Sequence, residues 1–284
     1  MLDFVGKRKI WYIISLLIII PGLFSFLTQS LNYGIDFTGG NLLQIQFAQE
    51  VDDAQVRSSL GQFGLEKSKV QASEGNQFLI RTRILTEEEN QQIITAFKKD
   101  LGQLEVLRNE KVDAVIGGEL TRNAIMALII ASVFMVVYIT IRFEFWFAIA
   151  AIIALLHDVL VTLGIFSLFR FPVDSAFVAA ILTIIGYSIN DTIVIFDRIR
   201  ENLRIKKKDD LDTVVNLSIN QTLRRSINTS LVVIMVLVSL LFLGGETTKT
   251  FSLALLIGAI SGTYSSIFTA SPIWIGLRER FAQK

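Results

Sequence analysis

The 284-residue sequence contains no cysteine, a single histidine and only three prolines. Without cysteine the chain has no disulfide, no thiolate metal ligand and no thiol nucleophile. The sequence also lacks the H-E-x-x-H pattern of zinc proteases, the G-x-x-x-x-G-K-[ST] loop that binds nucleotide phosphates and the G-x-S-x-G turn of serine hydrolases. These absences argue against a zinc protease, a serine hydrolase and a nucleotide-driven machine, so we expect no cofactor and no bound metal.

Long apolar runs, in contrast, are abundant. Hydrophobic residues make up 52% of the chain, and its mean hydropathy is +0.54. A helix needs about twenty mostly apolar residues to cross a bilayer. Six segments satisfy this requirement, at about 10–28, 122–141, 146–169, 174–196, 227–243 and 251–276. The pattern predicts a polytopic α-helical membrane protein with six transmembrane helices in the lipid bilayer. The first run is longer than the apolar part of a signal peptide and is followed by no A-x-A site, so we expect it to be retained.

Basic residues predict the orientation of these spans. Lysines and arginines lie before span one, between spans two and three, between spans four and five, and after span six. The short loops on the other side hold only Arg170 and Lys249. Since loops rich in Lys and Arg stay in the cytoplasm, both termini are expected to be cytoplasmic.

The chain divides into three parts: 1–28, with the N-terminus and span one; 29–121, one large polar insertion; and 122–284, with spans two to six and a cytoplasmic segment at 197–225. Within the insertion, strand and helix patterns alternate in the order β-α-β-β-α-β, which is that of a ferredoxin-like sandwich. Acidic residues outnumber basic ones there, which argues against binding to nucleic acid. The sequence therefore predicts one extracytoplasmic ferredoxin-like domain between helices one and two.

Ionisable residues within the spans are the candidates for function, because such groups mostly face a bundle interior or a water-filled path. Asn190 and Asp191 lie near the cytoplasmic end of span four, and Arg225 lies at the mouth of span five, followed by Asn228 and Thr229. Both sites fall in the same leaflet, so Asp191 and Arg225 are able to meet. We predict a proton-coupling role for them, with Arg225 acting as a simple interfacial anchor as the alternative.

The sequence leaves open the roles of two further features of the spans. His157 and Asp158 lie in the middle of span three, where they either join the proton path or satisfy hydrogen bonds between packed helices. Gly258 and Gly262 form a G-x-x-x-G pattern in span six, which is typical of closely packed helices.

Three motifs resemble those of the SecF family, whose namesake is the smaller membrane component of the bacterial SecD–SecF complex and is related to the RND transporters. The first, G-I-D-F-T-G-G, follows span one; the second, G-Y-S-I-N-D-T-I-V-I-F-D-R-I-R-E-N, lies in span four; the third, Q-T-L-R-R-S-I-N-T-S, enters span five. In the first motif the matching positions are Gly34, Asp36, Phe37, Gly39 and Gly40. The third has Ser226 where threonine is common, which leaves Arg225 in place.

The resemblance implies a translocation subunit rather than an enzyme. Such a subunit pairs with SecD, associates with the SecYEG channel and with YajC, and uses the proton gradient to promote export of unfolded preproteins across the bacterial cytoplasmic membrane. The motif places the proton-pathway acid at Asp191 and its arginine at Arg225. Two alternatives stay open: half of an RND-type proton-driven exporter of a small hydrophobic substrate, and a passive scaffold for the Sec channel.

Overall fold

The computed structural model describes residues 2–73, 75–206 and 209–281. The chain forms two compact units: the first comprises the N-terminal 32 residues together with the chain from Met126 onward, and the second comprises Tyr33–Ile125. In chain order the elements are α1 (Arg8–Gln29), β1 (Asn32–Tyr33), α2 (Ile35–Thr38), β2 (Gly40–Phe47), α3 (Asp53–Gly61), β3 (Lys69–Ser73), β4 (Gln77–Thr82), α4 (Glu87–Leu101), β5 (Leu104–Val112), α5 (Ala114–Arg142), α6 (Phe145–Leu168), β6 (Pro172–Val173), α7 (Ser175–Ile205), α8 (Leu211–Leu243), α9 (Glu246–Ser265), a π-helical turn (Ser266–Ala270) and α10 (Ser271–Phe281).

The six predicted spans are confirmed as helices. In the described part of the chain, six helical segments are long and apolar enough to cross a membrane: Arg8–Gln29, Gly117–Arg142, Phe145–Leu168, Ser175–Ile205, Leu211–Leu243 and Thr248–Phe281. Each runs beyond at least one predicted end, because the polar residues that flank an apolar core continue the same hydrogen-bonded helix. The sixth span passes through the π-helical turn, which its composition does not reveal.

The segment between spans four and five differs from the prediction. The spacing of apolar residues within 211–223 predicts a helix that lies at the membrane interface, but α8 continues without a break from Leu211 into span five. Val214, Val215 and Ile219 are buried in the core of the bundle, so the apolar face predicted from spacing packs against protein. Asp210 caps this helix, and its hydrogen bond from Thr213 lowers the pKa of the Asp210 carboxyl.

Small residues set the closest helix contacts of the first unit. A Cβ atom added to Gly22 in α1 would lie 2.6 Å from the Cα of Gly164 in α6, and their neighbours Ser25 and Ser167 are joined by a 2.8 Å hydrogen bond. Between α9 and α7, a Cβ on Gly262 would lie 2.9 Å from the Cβ of Ser188. The G-x-x-x-G pattern therefore marks close packing, as predicted.

The second unit is built on a four-stranded sheet with the order β3-β4-β2-β5, in which every neighbouring pair is antiparallel. Helices α3 and α4 pack on one face, where Leu43, Ile45, Val56, Phe78 and Phe97 belong to a single apolar core. The elements follow the predicted β-α-β-β-α-β order. The last strand is longer than the sequence pattern predicted, because it pairs with the first half of β2 beyond a bulge at Leu107.

The glycine-rich segment before β2 needs its glycines for conformation and for space. Gly39 and Gly40 adopt φ angles of 70° and 128°, a region that favours glycine. A side chain on Gly40 would also collide with the carbonyl oxygen of Thr82 on the neighbouring strand. The segment therefore forms the turn that enters β2, and the single-turn helix α2 lies directly before it.

We expect Gly164→Ala to destabilise the protein, because its new methyl group meets the backbone of α1 and no flexible side chain is there to move. Overpacking of this kind costs about 1–3 kcal/mol. Thermal unfolding of the purified protein in detergent, followed by circular dichroism, measures the loss.

Gly186→Ala is the matched control. It adds the same methyl group to a membrane helix where nothing lies within 4 Å. This variant is expected to be as stable as the wild type or more stable, by up to ~1 kcal/mol, since alanine favours helix. Equal losses in both variants would contradict the importance of the α1–α6 contact.

A second prediction concerns the start of α4. Hydrogen bonds from the Arg83 guanidinium, and then from the Thr86 backbone N–H, lower the pKa of Glu89 from 4.5 to about 2. Because this pKa is depressed in the folded state, its stabilisation is complete above pH 4.5 and is lost as the pH falls towards about 2. Glu89→Gln should therefore weaken the acid dependence of the thermal midpoint over this range. Glu88→Gln, on the adjacent residue, should retain the acid dependence of the wild type.

Candidate intramembrane functional site

Three helices meet at the carboxylate of Asp191. The residue lies on the buried face of α7, and its side chain is only 7% exposed. Ser230 of α8 donates a hydrogen bond of 3.3 Å to Asp191 Oδ2, and Thr263 Oγ1 of α9 lies 2.7 Å from Ser230 Oγ. The site is therefore a small polar cluster at the contact of three helices. Ser230 and Thr263 supply it, although sequence reasoning did not assign them a role.

The other polar residues predicted for this site lie on the outside of the unit. Asn190 and Arg225, which were predicted to take part in proton coupling, are exposed, and so are the secondary polar candidates Asn228 and Thr229. Arg225 forms no ion pair with Asp191 at 4.0 Å or less in this arrangement, among the ion pairs of the described residues.

Helix geometry explains why Arg225 points outward. Ser226 and Ser230 are separated by one turn of α8 and both face the interior, whereas the adjacent Arg225 lies on the exposed side. The charge of Arg225 still acts on the Asp191 carboxylate, and a direct ion pair between the two side chains stays a prediction.

A second buried carboxylate, Asp158 of α6, is surrounded far more completely. Its side chain is fully buried, and each oxygen has two neighbours. Oδ1 lies 3.0 Å from His157 Nδ1 and accepts from Ser261 at 2.7 Å. Oδ2 accepts from Ser188 at 2.6 Å and from Ser265 at 2.7 Å. Hydroxyls from α7 and α9 thus converge on one acid of α6.

The sequence predicted the His157–Asp158 pair but not its ligands. Ser261 and Ser265 flank Gly262 in span six, where their spacing favours close packing, and no sequence signal distinguishes a packing serine from a hydrogen-bonding one. The π-helical turn follows Ser265 directly, and its first residue, Ser266, lies 2.8 Å from Thr192 of α7. Polar contacts between α7 and span six therefore continue from Ser188 to Thr192.

The two acids differ in how their charge is compensated. Among the described residues, Asp158 has four hydrogen-bonding neighbours, whereas Asp191 has one donor, at a distance longer than the usual hydroxyl–carboxylate contact. A buried charge is tolerated only when it is paired or fully hydrogen-bonded. The geometry therefore suits Asp158 to a fixed charge state and Asp191 to a changing one.

The glycine-rich motif lies in the second unit and has a structural role there. Gly34 and Gly40 are buried, Asp36 and Phe37 form the single-turn helix α2, and Gly39 ends it. A Cβ on Gly117, in the first turns of α5, would lie 2.9 Å from the carbonyl oxygen of Phe37. The motif shapes the entry of the chain into β2. Among the described residues, no group of three or more His, Asp or Glu side chains lies close enough together to hold a metal ion.

Comparisons with known proteins agree with these features. Residues 92–280 match the family model "Protein export membrane protein SecD/SecF, C-terminal", and residues 24–51 match the "SecD/SecF GG Motif". The chain is 45% identical to the protein translocase subunit SecF of Sebaldella termitidis, over 98% of this chain and 92% of that protein. It is 40% identical to SecDF of Bacillus subtilis, covering 99% of this chain and 39% of that longer protein.

A solved structure is similar in fold as well as in sequence. The crystal structure of SecDF from Thermus thermophilus, described as a translocon-associated membrane protein, superposes with a TM-score of 0.91 at 34% identity. The match covers 98% of this chain and 39% of that one. The chain therefore belongs to the SecD/SecF family of protein export membrane proteins, which are accessory subunits of the Sec translocation machinery.

Proposed function

We propose that this chain couples proton movement at Asp191 to the export of unfolded preproteins, as the SecF partner of a SecD subunit at the SecYEG channel. The observation that carries the proposal is the incomplete compensation of Asp191. This acid is 7% exposed within a span, and within the described part of the chain its side chain has one hydrogen bond, of 3.3 Å, from Ser230. Intramembrane acids of this kind mark proton relays in pumps and transporters.

The membrane potential supplies enough energy for a change of charge at Asp191 to move helices. Moving one charge through a potential of 100 mV supplies about 2.3 kcal/mol. That shifts a two-state equilibrium roughly fifty-fold, given ~1.4 kcal/mol for each factor of ten. In the proposed cycle the negative Asp191 attracts Arg225, and protonation releases it. The movement of α8 against α7 is the mechanical step.

The proposed topology rests on the distribution of basic residues. With both termini in the bacterial cytoplasm, the spans lie in the cytoplasmic membrane, and the unit Tyr33–Ile125 lies on its outer side. The antiparallel order β3-β4-β2-β5, with α3 and α4 on one face, supports assigning this unit to the ferredoxin-like class. There it is positioned to hold and release an emerging chain.

Pairing with SecD is supported by the length of the fused relatives. The SecDF proteins of Bacillus subtilis and Thermus thermophilus contain a region like this chain within 39% of their length. Both proteins are named SecDF, which supports SecD as the partner of a SecF-like chain. YajC is a further expected partner, without a residue here that identifies its contact.

Asp191→Asn is expected to abolish the stimulation of export by a proton gradient while assembly with SecD persists. The amide keeps the size of the side chain but cannot exchange a proton. Membrane vesicles with the reconstituted complex, given an imposed gradient, measure preprotein export, and copurification measures assembly in the same sample.

Asp197→Asn is the matched control for this experiment. It removes another carboxylate of α7, one that is exposed and pairs with Arg200 at 2.9 Å. Export should keep its dependence on the gradient. If Asp191→Asn also kept it, the passive scaffold would become the better function, and transport of a small hydrophobic compound by the vesicles would instead favour the exporter.

Ser230→Ala tests the cluster around Asp191. Loss of the one donor to this acid should reduce gradient-driven export partially, since a hydrogen bond to a charged group is worth about 1.5–3 kcal/mol. Ser239→Ala, in the same helix, removes only a hydroxyl bonded to the carbonyl of Met235 and should have no effect. Equal export rates in the two variants would exclude a role for Ser230.

A further inference from the structure

A second buried titratable group, the His157–Asp158 pair, is left unused by the proposed cycle. We propose that His157 and Asp158 together hold one proton as a permanent, charge-neutral site that positions α7 and α9 around Asp191. The proton count rests on geometry alone, whereas the consequence for export also rests on the proposed function.

Hydrogen-bond direction on the α1 side indicates a hydrogen on His157 Nε2. The backbone carbonyl of Trp11 can only accept, so the Tyr264 hydroxyl donates to it at 2.6 Å. The Tyr264 oxygen then accepts from Ser15 at 3.4 Å, the longest link. A Ser15 hydroxyl that donates to Tyr264 leaves Ser15 Oγ free to accept from His157 Nε2, which lies 3.0 Å away.

Hydrogen-bond direction on the other side places a hydrogen on His157 Nδ1. Ser188, Ser261 and Ser265 all donate to Asp158, and donors of this number favour the ionised carboxylate. Nδ1 lies 3.0 Å from Oδ1 and has to donate to it. With a hydrogen on both ring nitrogens, the ring is positively charged and the pair is neutral.

Charge balance leads to the same assignment. An ionised acid in a membrane interior needs a positive partner, and His157 is the partner of Asp158 among the ion pairs of the described residues. Around the pair, α1 contributes Ser15, α9 contributes the stacked ring of Tyr264, and α7 contributes Ser188 with Asp191 one turn further on.

The last helix packed against α6 adds no charge to this site. Its basic residues, Arg278 and Arg280, lie in the final turn of α10, and the guanidinium of Arg278 lies over the ring of Trp274. The pair is therefore neutralised internally.

The positioning role follows from which helices the pair joins. Ser188 lies one turn before Asp191 on α7, and Ser261 and Ser265 flank Thr263 of the Asp191 cluster on α9. A fixed acid that holds these three serines also fixes the rotation of α7 and α9. Asp191 is then kept facing Ser230 while its own proton exchanges.

The single histidine of the chain makes the test direct. The full-length protein, labelled with ¹⁵N-histidine and reconstituted in lipid vesicles at about pH 7.5, gives solid-state NMR signals from His157 alone. A free imidazole, with its ordinary pKa near 6.5, is mostly neutral at this pH. We expect both ring nitrogens to carry hydrogen; a ring with one unprotonated nitrogen would overturn the proposal.

Two variants separate the positioning site from a general packing effect. Ser15→Ala removes the acceptor of Nε2–H and should change the ¹⁵N spectrum. Ser25→Ala removes another α1–α6 hydroxyl contact, the one to Ser167, and should leave the spectrum unchanged. Identical spectra for the Ser15→Ala variant and the wild type would contradict the assigned proton positions.

Charge-matched variants keep the test independent of the proposed cycle. His157→Gln leaves a buried acid unpaired and should lower the thermal midpoint more than the double variant His157→Gln/Asp158→Asn, which is neutral. Asp191→Asn should leave the His157 spectrum unaltered, even if its effect on export fails to appear. A spectrum that changes in Asp191→Asn would show that the two sites exchange protons and would overturn permanence.

Discussion

The cost of burying a carboxylate in an apolar bundle is the constraint on which the rest of this structure depends. Among the described residues two acids are buried, and they are compensated differently. Asp158 is surrounded by His157 and by serines from two other helices, so both of its carboxylate oxygens are hydrogen-bonded. Asp191 is nearly as buried, but among the described residues only Ser230 donates to it. The first arrangement suits a fixed structural centre, and the second leaves room for a change.

Close helix packing makes the polar arrangement possible. Hydroxyl groups on serine reach only a few ångströms, so the helices that carry them must approach closely. Gly262 provides this approach, because a Cβ there would lie 2.9 Å from Ser188. The same contact brings Ser261 and Ser265 within 2.7 Å of Asp158. The G-x-x-x-G pattern is thus a condition for the polar centre as well as a packing feature.

The parts of the structure that sequence predicts are those governed by local composition. The length of the apolar runs predicts six spans, and the alternation of strand and helix patterns between turn residues predicts the element order of the second unit. The intramembrane acids can be identified from the sequence because charged residues are rare in such helices. The serine ligands of Asp158 and the outward direction of Arg225 depend on how far each helix is rotated in the bundle. Serine is common both where helices merely pack and where a hydroxyl binds a buried acid, so only tertiary contacts distinguish the two roles. The burial of Val214, Val215 and Ile219 against other helices cannot be predicted from sequence for the same reason.

Magnitudes decide which acid a proton gradient can act upon. Each hydrogen bond to a charged group contributes about 1.5–3 kcal/mol, so releasing Asp158 from four neighbours requires roughly 6–12 kcal/mol. One charge moving through 100 mV supplies about 2.3 kcal/mol, which is well below that range. The single bond from Ser230 to Asp191 falls within reach of this energy. A bundle with one fully bonded acid and one weakly bonded acid can therefore rearrange at Asp191 while its centre at Asp158 stays intact.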